Sequence, residues 1–241
     1  MMKNICFVLI YGGSLNPEIW QDVIHEMKCP AFAAERIPVG IDLKKLTISE
    51  CARYVSTQIE QLPAKRIILA GHSMGGLLIP QITQMLPDRI VHQVYIGSPI
   101  PKNGKNSLST FKFSDRLNFY FGLLLEKLNI KIDPKHMEQY VKKKMCNDLD
   151  TAMTAKVISC IHPEPPILLE KINFSSTPKR SATYIRLLKD QGTLSPEKQS
   201  EIASYLNAEV ISIESGHTVM LSQPKSLALA FDDIASKYLD S

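Results

Sequence analysis

Ile67-Ile68-Leu69-Ala70-Gly71-His72-Ser73-Met74-Gly75-Gly76 is the stretch on which the fold turns. Four apolar residues with the length of a buried strand run into a serine flanked by glycines, and Leu77-Leu78-Ile79 then opens a helical segment. Gly-x-Ser-x-Gly alone has modest specificity. Between a strand and a helix it describes a tight turn that strains the serine backbone and exposes its oxygen at the strand end. Gly71 and Gly75 would let strand and helix approach closely, and the helix N-terminus favours negative charge developing near Ser73.

Working outward, short apolar runs recur at Ile5–Ile10, Val94–Gly97, Thr183–Leu188 and Val210–Ile213. Continuous runs of this length suit strands covered on both faces, as in a parallel sheet. Helical segments alternate with them. Thr47 to Leu62 carries Ala52, Val55, Ile59 and Leu62 on one face and opens with capping-box spacing, Thr47 to Glu50. Met74 to Leu86 is a second helix, in which Pro80 should break a hydrogen bond and kink the axis. Pro224 to Leu239 is a third, with Pro224 in its first turn and Leu227, Phe231, Ile234 and Tyr238 on one face. The alternation predicts an α/β fold with a mostly parallel sheet.

Between Ile100 and Arg180 the strand runs vanish, and Leu117–Leu128 and Asp150–Ile161 suggest helices before Pro163, Pro165 and Pro166. Residues 101–180 are therefore expected to be a helical cap inserted into a core formed by 1–100 and 181–241. In that insertion Phe111, Phe113, Leu117, Phe121 and Leu124 are candidate substrate contacts, although a helical apolar stripe is more often core.

A nucleophilic serine needs a base, and the base an orienting acid, in the chain order Ser, acid, His. Of the six histidines only His217, in Glu214-Ser215-Gly216-His217, follows a late strand. His72, inside the serine turn, is expected to point away from the oxyanion side. Asp190 is the carboxylate at the end of the preceding strand, with Asp42 and Glu214 next in line. Two backbone N–H groups would hold an oxyanion: that of Met74, and that of Gly13 in Tyr11-Gly12-Gly13-Ser14 after the first strand.

These segments resemble the α/β-hydrolase superfamily, and within it the small subgroup of plant methyl esterases, hydroxynitrile lyases and related bacterial esterases. Phe7-Val8-Leu9-Ile10-Tyr11-Gly12-Gly13 is similar to that subgroup's F-V-L-V-H-G-A, with Trp20 downstream; Gly71 to Gly76 matches its serine turn; and His217-Thr218-Val219-Met220-Leu221-Ser222-Gln223-Pro224 resembles its H-x-x-M-L-x-x-P. Pro87-Asp88-Arg89-Ile90, Pro101 to Gly104 and Tyr184 through Asp190 match further segments. The resemblance implies a serine esterase acting on a small carboxylic ester without a cofactor. Two alternatives remain: cyanohydrin cleavage, or a slow or non-catalytic ligand receptor on the same scaffold. The subgroup's lyases place a Lys after the catalytic His and a Thr in the oxyanion loop; here those positions hold Thr218 and Gly12. Tyr11 stands where the family usually has His, which should alter packing rather than activity.

The chain has 241 residues, 44% of them apolar and 22% charged, with a net charge of +4. That composition excludes disorder and suffices to bury roughly 70% of the unfolded surface without a metal or disulfide. The charge is too small to imply nucleic acid, although 14 basic and 8 acidic side chains fall between Lys102 and Arg180. Five cysteines with no C-x-x-C suggest reduced thiols and a cytoplasmic setting. Ile5–Ile10 is too short for a membrane span or a signal-peptide core. A homodimer is left open.

Overall fold

A computed structural model of the chain describes residues 4–128, 134–173 and 180–238. Six strands, β1 Ile5–Ile10, β2 Ala31–Ala34, β3 Arg66–His72, β4 Ile90–Ile96, β5 Ser181–Leu187 and β6 Glu209–Ile213, form one sheet in the order β2-β1-β3-β4-β5-β6. Every pairing is parallel. The apolar runs become strands because a parallel sheet hides both faces. All six residues of β1 are buried, with Ile5, Phe7 and Leu9 on one face and Cys6, Val8 and Ile10 on the other.

The helices are α1 Gln21–Glu26, α2 Ile48–Glu60, α3 Ile79–Met85, α4 Phe113–Lys127, α5 Pro134–Met145, α6 Thr151–Ser159, α7 Pro196–Tyr205, α8 Val219–Ser222 and α9 Pro224–Ser236. Val23 of α1, Val157 of α6 and Leu227, Phe231 and Ile234 of α9 cover one face of the sheet. Val55 and Ile59 of α2, Ile82 of α3 and Ile202 of α7 cover the other. The Thr47–Glu50 capping box forms as the spacing predicts. Leu239 and residues 129–133 and 174–179 lie outside the described residues. The structure thus has the α/β architecture expected, and among its described residues no helix is long and apolar enough to cross a membrane. All five cysteines are buried and free.

Three helical expectations are corrected. The segment after Ser73 first winds as a tighter 3-10 turn over Ser73–Leu78, and α3 begins only at Ile79. Pro80 is consequently in the first turn of α3, where its missing N–H has no intrahelical acceptor to lose, so it starts a helix rather than kinking one. Between β4 and β5, α4 turns Phe113, Leu117, Phe121 and Leu124 to solvent, 50–76% exposed. Those four are therefore not part of the core, and Phe111 is half-buried.

After β1 the chain turns to one side to make β2, and then crosses to β3 on the other side of β1. The carboxyl ends of β1 and β3 therefore flank a topological switch point, where two loops diverge and leave a crevice. The Tyr11–Ser14 loop and Ser73 stand there. Gly75 packs this corner: a Cβ on it would lie 2.4 Å from the Ile10 carbonyl oxygen and 2.6 Å from that of Tyr11, both backbone atoms. We expect Gly75→Ala to destabilise the fold by about 3 kcal/mol, as overpacking against immovable backbone does. Gly122→Ala on α4, where a Cβ meets nothing within 4 Å, should instead add roughly 0.5 kcal/mol. Urea midpoints of the two variants check both signs.

Candidate active site

Ser73 closes β3 with φ at 49°, in the left-handed region that a residue with a Cβ adopts only under constraint. The sharp turn this makes is the one anticipated from the glycine pattern. Gly12 sits directly against it: a Cβ there would be 3.0 Å from the Ser73 Cβ and 2.7 Å from His72 Nδ1. Gly13 lies against the Met74 side chain, whose Sδ occupies the space a Cβ would need, at 2.5 Å. The two loops expected to supply oxyanion donors are thus in contact.

His217 and Asp190 come together as expected. His217 Nδ1 donates to Asp190 Oδ2 at 2.7 Å, with His217 1% and Asp190 0% exposed. Asp190 Oδ1 accepts the Thr193 N–H at 3.0 Å. Burial alone would raise the Asp190 pKa; the His217 ring and the backbone N–H groups of Thr193 and Leu194 outweigh it and hold the carboxyl below its ordinary value. The reserve candidates are elsewhere. Glu214 is exposed, 3.9 Å from Lys189, and Asp42 caps a short helical turn through the Lys44 N–H.

His72 does not point away from the site. Its ring lies 4.8 Å from that of His217, and its Nε2 is 2.9 Å from the His217 carbonyl oxygen. A carbonyl only accepts, so Nε2 carries the proton. Burial first, and the neighbouring His217 second, push the His72 pKa down to about 3, which keeps the ring neutral. His72 therefore ties the serine turn to the base loop.

A second tie was not visible in the sequence. The end of α5 and the residues after it hold both the acid loop and the base loop. Asn147 Nδ2 donates to the Lys189 carbonyl at 2.8 Å, and Thr193 Oγ1 donates to that of Lys144 at 3.1 Å. On the base side, Gly216 N–H donates to Asp148 and Thr218 Oγ1 to the Met145 carbonyl at 2.7 Å. Gly216 lies so close that a Cβ on it would be 2.3 Å from Asp148 Oδ1 and would push the Asp148 and Asn147 side chains aside. A glycine just before the histidine was the one available signal of this close approach. A cavity of about 140 Å³ opens beside the acid loop, between Ser109–Lys112 and Gln191–Ser195; neither Ser73 nor His217 lines it.

Tyr11, the departure from the usual histidine, is buried. Its hydroxyl donates to Glu35 Oε1, and the Arg36 guanidinium carbon lies 4.8 Å from its ring centre. Tyr11 packs there against a buried arginine that the sequence did not single out.

No family model matches the chain. Among curated proteins it is 25% identical over 240 residues to methylesterase 17 of Arabidopsis thaliana, a match covering 90% of this chain and 87% of that protein. It is 32% identical to methylesterase 8 of the same plant over 117 residues, only 45% of this chain and 42% of the relative. Among solved structures it superposes with a TM-score of 0.81 and 22% identity on an extracellular α/β-hydrolase from a Paenibacillus species, covering 95% of this chain and 98% of that one. That protein is described as sharing structural and functional homology with tobacco salicylic acid binding protein 2. Polyneuridine aldehyde esterase follows at a TM-score of 0.72 and 18% identity, over 96% of this chain and 99% of that one. The chain has the fold of the α/β-hydrolases, and the curated proteins it resembles in sequence include plant methylesterases.

Proposed function

We propose that the chain is a serine carboxylic-ester hydrolase in which Ser73 is the nucleophile, His217 the base and Asp190 the orienting acid. The observation that carries this is the buried His217–Asp190 hydrogen bond of 2.7 Å at the same sheet end as a serine held at φ 49°. Ser73 Oγ attacks the ester carbonyl as its proton passes to His217 Nε2. Asp190 keeps the Nδ1 proton in place and stabilises the imidazolium. The N–H groups of Gly13 and Met74 receive the oxyanion. His217 then protonates the departing alcohol, and water, activated by the same imidazole, releases the acid from Ser73.

Cyanohydrin cleavage is the poorer reading. Departing cyanide is an anion, and Thr218, the residue after the base, is uncharged and spends its hydroxyl on the Met145 carbonyl. Gly12 cannot be replaced by a hydroxyl-bearing residue without meeting His72 and Ser73. Both features leave a site suited to a carbonyl oxyanion.

A panel of methyl and aryl esters of graded acid size, run beside mandelonitrile, tests the assignment. Ser73-dependent hydrolysis of at least one ester is expected, with cyanide release no faster than the uncatalysed rate. Ser73-dependent cyanide release from a protein inactive on every ester would overturn it. A stoichiometric burst without turnover would point to the slow receptor.

A further inference from the structure

We propose that Arg36 is a positioning residue for the Gly13 oxyanion donor, and that Glu164, from the segment between β4 and β5, holds Arg36 to that task. This rests on the serine-hydrolase reading above. Arg36 is fully buried, and its Nη2 donates to the Gly12 carbonyl at 3.1 Å and to Glu164 Oε1. The Gly12 carbonyl and the Gly13 N–H belong to one planar peptide unit and point in opposite directions. A donor fixed on that oxygen therefore sets where the Gly13 N–H aims. It also draws electron density from the peptide and makes the N–H a stronger donor.

The flanking residues are held as well, so the aim is not left to a free loop. Glu164 Oε1 accepts the Ser14 N–H as well as the Arg36 guanidinium, and Ser14 stands at φ 58°. His162, two residues earlier, bonds the Leu15 carbonyl through Nε2. On the other side, Glu35 Oε1 accepts the Tyr11 hydroxyl and the backbone N–H groups of Arg36 and Ile37. Gly13 thus sits between a carbonyl held by Arg36 and an N–H held by Glu164. A plain structural latch would not need its cation on the carbonyl of the catalytic peptide, and buried ion pairs are commonly replaceable by neutral side chains without loss of stability.

The test is the double variant Arg36→Met/Glu164→Gln in the full chain, which removes both charges and leaves the introduced amide oxygen able to accept the Ser14 N–H. The expected result is a melting temperature near wild type, a KM within threefold, and a kcat lowered about 30-fold, less than the 10²–10³ lost when an oxyanion donor is deleted outright. Labelling of Ser73 by a fluorophosphonate, whose phosphonyl oxygen uses the same donors, should slow in proportion. A folded double variant with kcat and labelling rate within threefold of wild type overturns the proposal, and so does a loss confined to KM. If the double variant does not fold, Arg36→Lys carries the test: its shorter side chain keeps a cation for Glu164 and loses the Gly12 carbonyl. A tenfold fall in kcat at constant KM supports the proposal, and full kcat overturns it. Absence of Ser73 labelling in wild type would overturn the serine-hydrolase reading together with this one, whereas normal wild-type labelling with an unaffected variant removes only the role of Arg36.

Discussion

Ser73→Ala is expected to abolish ester turnover, with a fall in kcat of about 10⁵-fold or more, while unfolding free energy changes by no more than about 1 kcal/mol. The loss is this large because the nucleophile's oxygen forms the bond to the acyl group, and neither His217 nor the oxyanion donors can replace it. Stability barely moves because, although Ser73 is buried, Ser73→Ala removes a single hydroxyl and leaves its Cβ in place. The backbone adds a second, opposite expectation. Ser73 sits at φ 49°, a conformation that costs an L-residue roughly 1–2 kcal/mol and glycine almost nothing. Ser73→Gly should therefore be equally inactive but more stable than Ser73→Ala. A urea titration of both variants, beside initial rates on an aryl ester, reads the two effects separately. Turnover or fluorophosphonate labelling that persists in Ser73→Ala would remove Ser73 from the chemistry.

The parts of this site that were legible in the sequence are those that follow from local chain geometry. The serine turn is a contiguous pattern; β1 and most of β3 announce themselves because a strand buried on both faces is apolar at nearly every position, and β4 and β5 do so through the shorter runs Val94–Gly97 and Thr183–Leu188. Asp190 could be placed because it follows a buried strand, and His217 because it follows the short run Val210–Ile213, although β6 proves to be a largely exposed edge strand. What escaped was assembled from distant segments. β2, only four residues of Ala31-Phe32-Ala33-Ala34 at a sheet edge, lacks the long β-branched run that marks a strand, and so Arg36 just beyond it had no address. α5 is Lys-rich, with Lys142, Lys143 and Lys144 in its last turn, and its charge masks a segment whose backbone carbonyls bind the catalytic loops. The stripe on α4 misled for the converse reason: helical spacing shows that apolar residues share a face, but not what that face meets. His72 was misjudged because a residue inside the serine turn has its orientation set by the loops around it, here by Gly12 and the His217 carbonyl.

Asp190→Asn should lower kcat by about 10⁴-fold with little change in KM, through the imidazole tautomer rather than through lost packing. The geometry around the carboxylate dictates this. One oxygen accepts the Thr193 N–H at 3.0 Å, and the other accepts the His217 Nδ1–H at 2.7 Å. An asparagine has one oxygen for these two donors. The Thr193 peptide cannot turn its N–H away without unmaking the acid loop, so the amide oxygen is expected on that side and the amide NH₂ toward His217. A donor facing Nδ1 requires a lone pair there, which moves the ring proton to Nε2, the atom that must receive the proton from Ser73. The variant should thus fold and bind substrate with its base in the wrong protonation state. Acid stability supplies an independent reading. The folded-state pKa of Asp190 is lowered, so its contribution is fully present above the ordinary value of 3.8 and is lost as the pH falls through the lower native value. Asp190→Asn should remove that part of the acid-side loss, seen as a shallower fall of the urea midpoint below pH 4 than in wild type. Near-wild-type turnover in Asp190→Asn would mean that the acid lies elsewhere, and Asp148, bonded to the Gly216 N–H on the same base loop, would then be the carboxylate to examine.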